Sequence, residues 1–348
     1  MHLQGCKFQK RKAKFQHTVD FLDFGFWFLE FGPYTYCMRC LLIGNYGVSN
    51  IGDEALREYF VSTFTEVHWT VLGTDVPRLP FGFRSFFRLW PKTIVAIARA
   101  DMIVFGGGSL FTDSESVVAC VLWWWHGIVA CLFQKRLVLA FQGVGPFRTV
   151  FGELLAKWIF THATFISVRD EASHRRIQGW KLRCTPLLTF DPAFSVFAER
   201  KPMQNAKRIL GIIPRQNSDD QFFVEVSSAV KKPFDEVRIL LMQPDESERS
   251  IAEKIRAMTG GTASIVPITS VHQLLTEISG AREILTQRYH GVLAALAIGI
   301  PVRIVPQTKG DKLDELKALQ NDSKRLGECL MLVKRGEEGM RRVLQCLA

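Results

Sequence analysis

Two arginines, a histidine and a glycine stand where a chain could hold an anion and move a proton. Thr286-Gln287-Arg288-Tyr289-His290-Gly291 leaves an apolar run and enters a helical pattern, and Ile212-Ile213-Pro214-Arg215 ends another apolar run. Arginine grips carboxylate or phosphate through a planar fork, and a helix N-terminus adds partial positive charge at the same place. A histidine beside them can act as acid or base near neutral pH. A lone histidine is more often a satisfied core residue. With Arg288 before it and Gly291 after it, His290 reads as the proton-moving residue, while Arg288, Arg215 and Gly291 read as holding an anionic ligand.

Glycine-rich loops follow other apolar runs. Gly44 to Ala55 (GNYGVSNIGDEA) opens a helix, and its small residues, Gly44, Asn50 and Gly52 among them, let backbone N–H groups approach an anion. It reads equally as a tight turn with Asp53 capping the helix. No Gly-Lys-Ser/Thr follows, which excludes a Walker loop, and the glycine spacing excludes the dinucleotide fingerprint. Gly106, Gly107 and Gly108 close a second run, with Asp113 just beyond; Gly143 and Gly145 close a third, and Arg169 a fourth. Four successive strand ends of this kind point to one cleft.

The elements that would carry these loops alternate regularly. Strands are expected over Cys40–Ile43, Val67–Leu72, Met102–Phe105, Leu137–Phe141 and Phe165–Val168. Helices are expected over Asp53–Phe64, Lys92–Arg99, Val117–Phe133, Gly152–Thr161 and Glu171–Gln178. Phe197–Asn205, polar and containing Pro202, reads as a linker, after which the rhythm restarts. Strands Arg208–Ile213, Glu236–Met242, Ser264–Val266, Glu283–Thr286 and Val302–Val305 enclose helices Asp219–Val230, Glu246–Met258, Ser270–Ile278 and Gly291–Ile298. Such alternation means parallel sheets covered on both faces. The expected fold is α/β: two Rossmann-like domains, 38–198 and 206–325, facing each other across a cleft. Residues 326–348 read as a C-terminal helical tail, and 1–37 as an extension outside the fold.

Composition agrees with this class. The chain has 348 residues, 47% of them hydrophobic and 22% charged, enough for two cores and too apolar for disorder. A net charge of +10 favours anionic partners. The basic residues are scattered and no nucleic-acid module is present, so no nucleic acid is expected. Cys6, Cys37, Cys40, Cys120, Cys131, Cys184, Cys329 and Cys346 suit a reducing, cytoplasmic setting. Cys37-x-x-Cys40 has a metal spacing, but no second pair completes it, and no metal is expected. Residues 21–36 are aromatic, too short to span a bilayer and interrupted by Asp23 and Glu30. Val117–Phe133 approaches spanning length, yet it lies inside a βαβ unit and carries His126 and Gly127; a helix buried against a sheet is expected.

In order and wording, GNYGVSNIGDEA, DMIVFGGGSLFTD, FQGVGP, SVRDEAS, the Asp191-Pro192-Ala193 turn and QRYHGVLAALAIGIPV resemble the polysaccharide pyruvyl transferase family, from about Met38 to Lys312. The resemblance implies a GT-B-like architecture, that of glycosyltransferases with two Rossmann-type domains. It also implies transfer of pyruvate from phosphoenolpyruvate to a sugar of a cell-surface polysaccharide, or of its lipid-linked precursor, as a ketal with release of phosphate. Arg215, Arg288 and His290 then fall on donor-binding and catalytic positions. By the same resemblance phosphoenolpyruvate is expected as the donor substrate and a saccharide as the acceptor, with no cofactor. The aromatic density of Val117–Phe133 departs from a typical member and leaves room for a lipid-linked acceptor and peripheral contact at the inner face of the membrane. A homo-oligomer is compatible with the sequence. Two rivals stand beside this reading: a glycosyltransferase with a nucleotide-sugar donor, and a non-enzymatic anion- or nucleic-acid-binding protein.

Overall fold

The structure, a computed structural model, describes residues 37–78, 83–114, 116–307, 312–320 and 322–346, apart from the side chains of 83–90. The extension expected over 1–37 lies outside the described residues except for Cys37.

The first half alternates β1 (Met38–Ile43), α1 (Ile51–Thr63), β2 (Val67–Val71), α2 (Phe83–Arg99), β3 (Met102–Phe111), α3 (Val117–Leu132), β4 (Arg136–Val144), α4 (Val150–His162), β5 (Phe165–Val168), α5 (Glu171–Gln178), β6 (Leu187–Leu188) and α6 (Ala193–Ala198). Its strands pair in parallel in the order β2-β1-β3-β4-β5-β6. The second half runs β7 (Ile209–Ile213), α7 (Asp220–Val230), β8 (Glu236–Leu241), α8 (Glu246–Met258), β9 (Ser264–Pro267), α9 (Val271–Ser279), β10 (Glu283–Thr286), α10 (Tyr289–Ile298), β11 (Val302–Ile304), α11 (Lys312–Lys317) and α12 (Ser323–Gln345). Its parallel order is β11-β10-β7-β8-β9. Strands such as Ile209–Ile213 are apolar throughout because helices cover both faces.

Strand order reverses between β1 and β3 in one sheet and between β7 and β10 in the other. In open α/β sheets ligands bind outside the carboxyl ends at such reversals. The GNYGVSN loop follows β1, Arg215 follows β7 and Arg288 follows β10. Topology therefore delivers the candidate residues to both points.

Several boundaries differ from the sequence reading. The glycine cluster does not end its strand: β3 runs on, with Gly106 opposite Ala140 and Gly108 opposite Gln142, before the register shifts toward Phe111. Gly107 and Gly108 have φ of +74° and +79°, a left-handed backbone that glycine adopts without steric cost, so the cluster re-aims the strand instead of closing it. Helix α1 is capped by Asn50, whose side chain accepts from the Gly52 N–H at 3.3 Å; Asp53 lies in the first turn and is not the cap. Phe197 belongs to α6 and is fully buried, not part of an exposed linker. Helix α12 packs back on β4, β5, β6 and α6, burying Val333, Met340 and Leu344. One apolar cluster, with Leu42, Phe60, Phe194, Ile213 and Val292, joins both halves. Cys37 is exposed, whereas burial pushes the Cys40 thiol up to about 12, so the pair presents no shared ligand face.

Helix α3 is half-buried instead of enclosed. Trp123, His126 and Val129 face the sheet, while Val118 and Leu132 are 66% and 75% exposed. No helix among the described residues is long and apolar enough to cross a membrane. His126 Nδ1 lies 2.8 Å from the Leu122 carbonyl, and burial lowers its pKa from 6.5 to about 4. The unfolded chain then binds a proton that the folded chain refuses, so stability is full above pH 6.5 and falls as pH drops toward 4. The loss over that window is expected to be about 3 kcal/mol. Urea midpoints against pH should show it for the wild type and much less for His126→Phe; superimposable profiles would acquit His126.

Candidate functional site

Helix α10 sorts its leading side chains by phase. Arg288 and His290 are two positions apart and so point to nearly opposite sides. Arg288, the N-cap, reaches back into the second half: its Nε donates to the Pro214 carbonyl at 3.2 Å and its Nη2 to Glu248, a fully buried carboxylate. Burial pushes the Glu248 carboxyl up, against the pull of Arg288 and of the Gln243 N–H that it accepts at 2.7 Å. Nearby, just after β7, Arg215 Nη1 donates to Gln307 Oε1 at 3.2 Å, and its backbone N–H to Ser218 Oγ at 3.0 Å.

His290 crosses to the first half. Its ring occupies the space over Gly52 so closely that a Cβ there would lie 2.0 Å from Nδ1. This is the physical reason for glycine at the start of α1. On its other side, Nε2 stands 3.7 Å from Asp191 Oδ2, and it is buried with no hydrogen-bond partner among the described residues. Asp191 is fully buried; Oδ2 accepts from Arg169 Nη1 at 2.6 Å and Oδ1 from the Ala193 N–H at 3.1 Å. Burial alone would raise its pKa, but Arg169 and His290 outweigh it and hold the carboxyl at about 2.

Arg169 leaves β5 and is itself buried. Its Nη2 donates to Ser109 Oγ at 2.8 Å, and its guanidinium lies 4.6 Å from the Tyr289 ring centre. The missing side chain of Gly143 makes room for it. Burial opposes its charge, yet its anionic neighbours, Asp191 and Asp170 among them, raise its pKa above the usual arginine range. Asp53 Oδ2 accepts from Asn45 Nδ2 at 3.0 Å and Asn50 Nδ2 at 2.8 Å, and Gly108 faces its Oδ1. Burial pushes the Asp53 pKa up, while His290, Asn45, Arg169 and Lys312 pull against that.

Of the residues expected in one cleft, the structure therefore gathers His290, Gly52, Asn50, Asp53, Gly108, Gly143 and Arg169. Gly107 lies beside Gly108 and packs against Leu56. Arg215 and Arg288 form a neighbouring group on the strand ends of the second half. Others serve packing. Gly44 and Gly106 leave space for Tyr46, whose hydroxyl donates to the Gly106 carbonyl. Asp113 accepts from the Arg148 and Thr149 N–H groups and braces the start of α4, away from His290. Gly145 packs on Arg176. Gly291 does not open α10 but sits inside its first turn against Thr286 and Ile213.

Sequence reasoning assigned no role to Asp191, Ser109, Tyr289, Arg78, Lys312 or Glu248. Asp191 and Tyr289 stood in quoted motifs, and Ser109 directly follows the glycines. Arg78, which donates to Asn45 and to the Tyr46 carbonyl, Lys312, which lies 5.5 Å from the Tyr289 ring centre, and Glu248 carry no local signal.

Solved structures share the architecture. A glycosyltransferase from Rickettsia africae aligns over 90% of this chain and 98% of its own, with 10% identity and a TM-score of 0.51. A protein described as a UDP-N-acetylglucosamine 2-epimerase from Listeria monocytogenes aligns over 87% and 89%, at 13% identity and TM-score 0.54. The Neisseria meningitidis UDP-GlcNAc 2-epimerase, solved with UDP-GlcNAc, aligns over 87% and 93%, at 11% identity and TM-score 0.50. At such identities the likeness speaks for the fold alone, which is the two-domain GT-B arrangement. No curated protein sequence matches the chain. A sequence model for polysaccharide pyruvyl transferase matches residues 50–307, a span that holds Gly52, Asp53, Arg169, Asp191 and the whole segment from Thr286 to Gly291, and the chain belongs to that family.

Proposed function

We propose that the chain transfers the pyruvyl group of phosphoenolpyruvate to two hydroxyls of a saccharide, forming a cyclic ketal and releasing phosphate. The observation that carries this reading is the meeting of His290 with Asp191, Asp53 and Gly52 across the two halves, beside two arginines on adjacent strand ends. Arg215 and Arg288 hold the donor's phosphate and carboxylate, Arg288 being placed for this by Glu248 and Pro214. One sugar hydroxyl adds to C2 of the donor and gives its proton to His290, and the imidazolium returns that proton to C3, which becomes a methyl group. The second hydroxyl then attacks C2, the C–O bond to phosphate breaks, and its proton leaves with the phosphate. The acceptor is a cell-surface polysaccharide unit or its lipid-linked precursor, handled in the cytoplasm.

Phosphate release from phosphoenolpyruvate, with and without free and lipid-linked saccharides, tests the reading. Acceptor-dependent release is expected; transfer from a nucleotide sugar with none from phosphoenolpyruvate would replace it by the glycosyltransferase reading. Arg215→Ala should weaken phosphoenolpyruvate binding at least about tenfold in calorimetric titration, the loss of a charge-assisted contact. Wild-type affinity would remove Arg215 from the donor site.

A further inference from the structure

Asp191 is the buried group that the proposed steps leave unused. It lies on the turn between β6 and α6, in the half of the molecule opposite the helix that carries His290. Three features set it apart from a routine buried ion pair. Its orientation is fixed on both oxygens, by Arg169 at 2.6 Å and by the Ala193 N–H at 3.1 Å. The oxygen bound to Arg169 also faces His290 Nε2 at 3.7 Å, and that nitrogen has no other partner among the described residues. The other imidazole nitrogen, Nδ1, points into the space left by the absent side chain of Gly52. Among the described residues, the charged or titratable groups facing the ring also include Asp53 on α1, Arg169 behind Asp191, and Tyr289, whose ring lies edge-on at 5.3 Å.

Resting on the reading of His290 as the proton-moving residue, we infer that Asp191, clamped by Arg169, is its positioning residue: it holds the proton on Nε2 and leaves Nδ1, over Gly52, as the nitrogen that accepts a proton from the sugar hydroxyl. Which nitrogen of a histidine is free for chemistry is set by the partner of the other one. A contact of 3.7 Å is longer than a hydrogen bond, and catalytic hydrogen bonds are often long before substrate binds and tighten in the complex. The carboxylate stays ionised over the working pH range, so it can only accept. Once Nδ1 takes the proton, the same carboxylate faces an imidazolium and stabilises it.

Nitrogen NMR of histidine-labelled protein, at a pH well above neutrality and with the His290 signals assigned by His290→Gln, reads the tautomer directly. The wild type should carry its proton on Nε2. In Asp191→Asn the side-chain amide can donate to Nε2, so the proton should move wholly or partly to Nδ1. In the same variant kcat should fall about a hundredfold or more, with the KM for phosphoenolpyruvate within about threefold. A proton on Nδ1 in the wild type, or an unchanged tautomer in Asp191→Asn, would overturn the inference. So would losses shared equally by kcat, KM and melting temperature. Should Arg169, left unpaired, prevent that variant from folding, Asp191→Asn with Arg169→Gln removes both buried charges and carries the same readouts. The wild-type spectrum needs no donor, so failure of pyruvyl transfer and failure of this inference are separate results.

Discussion

His290→Ala is expected to slow the single-turnover release of phosphate by about a hundredfold or more, with donor affinity nearly unchanged. The separation follows from where α10 sends its side chains. The imidazole lies in the first half, over Gly52 and beside Asp191, whereas Arg215 and Arg288 occupy the strand ends of β7 and β10 with partners of their own. On the proposed mechanism, removing the ring takes away the group that moves the proton and leaves the proposed anion contacts in place. Folding should survive, because Asp191 keeps its bond to Arg169 and no buried charge is stranded. Single-turnover rates beside calorimetric titration with phosphoenolpyruvate check this. A wild-type rate would exclude His290 from the chemistry, and equal losses of rate and affinity would make it a binding residue.

The fold was legible because both sheets are parallel and covered on both faces. That condition writes each strand as a short apolar run and each helix as a longer amphipathic one, so β5, α5, α8 and β10 appear with the ends expected of them. Legibility failed where glycine means two things. In β3 the cluster Gly106–Gly108 reads as a strand end, since glycine usually interrupts a strand, but the pairing with β4 absorbs it as a bulge. The short β6 and α6 leave no signal, because two strand residues and six helical ones are too few to show a period. The return of α12 to the first half depends on tertiary packing, such as Phe141 lying against Gly336, that no local pattern announces.

The site was legible to the extent that its residues lie in strand-end motifs. His290, Gly52, Asp53 and Arg169 were singled out by loop chemistry, and the chain topology brings them together. What a strand-end motif cannot say is which way a side chain turns once the helix begins. Arg288 and His290, neighbours in sequence, were expected to share one anion site, yet helical phase sends them to different halves. Nor can a motif reveal partners supplied from elsewhere. Glu248 comes from the first turn of α8, forty residues before Arg288, and resembles any surface acid of an amphipathic helix.

That hidden partner changes what Arg288→Ala should do. Read only as a residue that holds an anionic ligand, Arg288 would cost a weaker grip on the donor when truncated. In the structure Arg288 is the cation that faces a fully buried carboxylate, and truncating one partner of such a pair typically costs about 3–5 kcal/mol. The pH dependence has a definite sign. Burial already pushes the Glu248 pKa up with Arg288 present, and without Arg288 it should rise further. A group with a raised folded pKa contributes stability below its unfolded pKa and loses it as pH rises through the folded value. The deficit of Arg288→Ala should therefore be largest at neutral pH and shrink as the solution is acidified toward the ordinary carboxylate range. Glu248→Gln introduced alongside Arg288→Ala should restore most of the stability, because no charge is then left buried, while phosphoenolpyruvate binding stays weak. Urea unfolding of both variants at neutral and mildly acidic pH, beside donor titration, checks each part. If Arg288→Ala unfolds at the wild-type midpoint, Glu248 does not depend on it; if the double variant regains donor affinity together with stability, Arg288 holds the fold and not the donor.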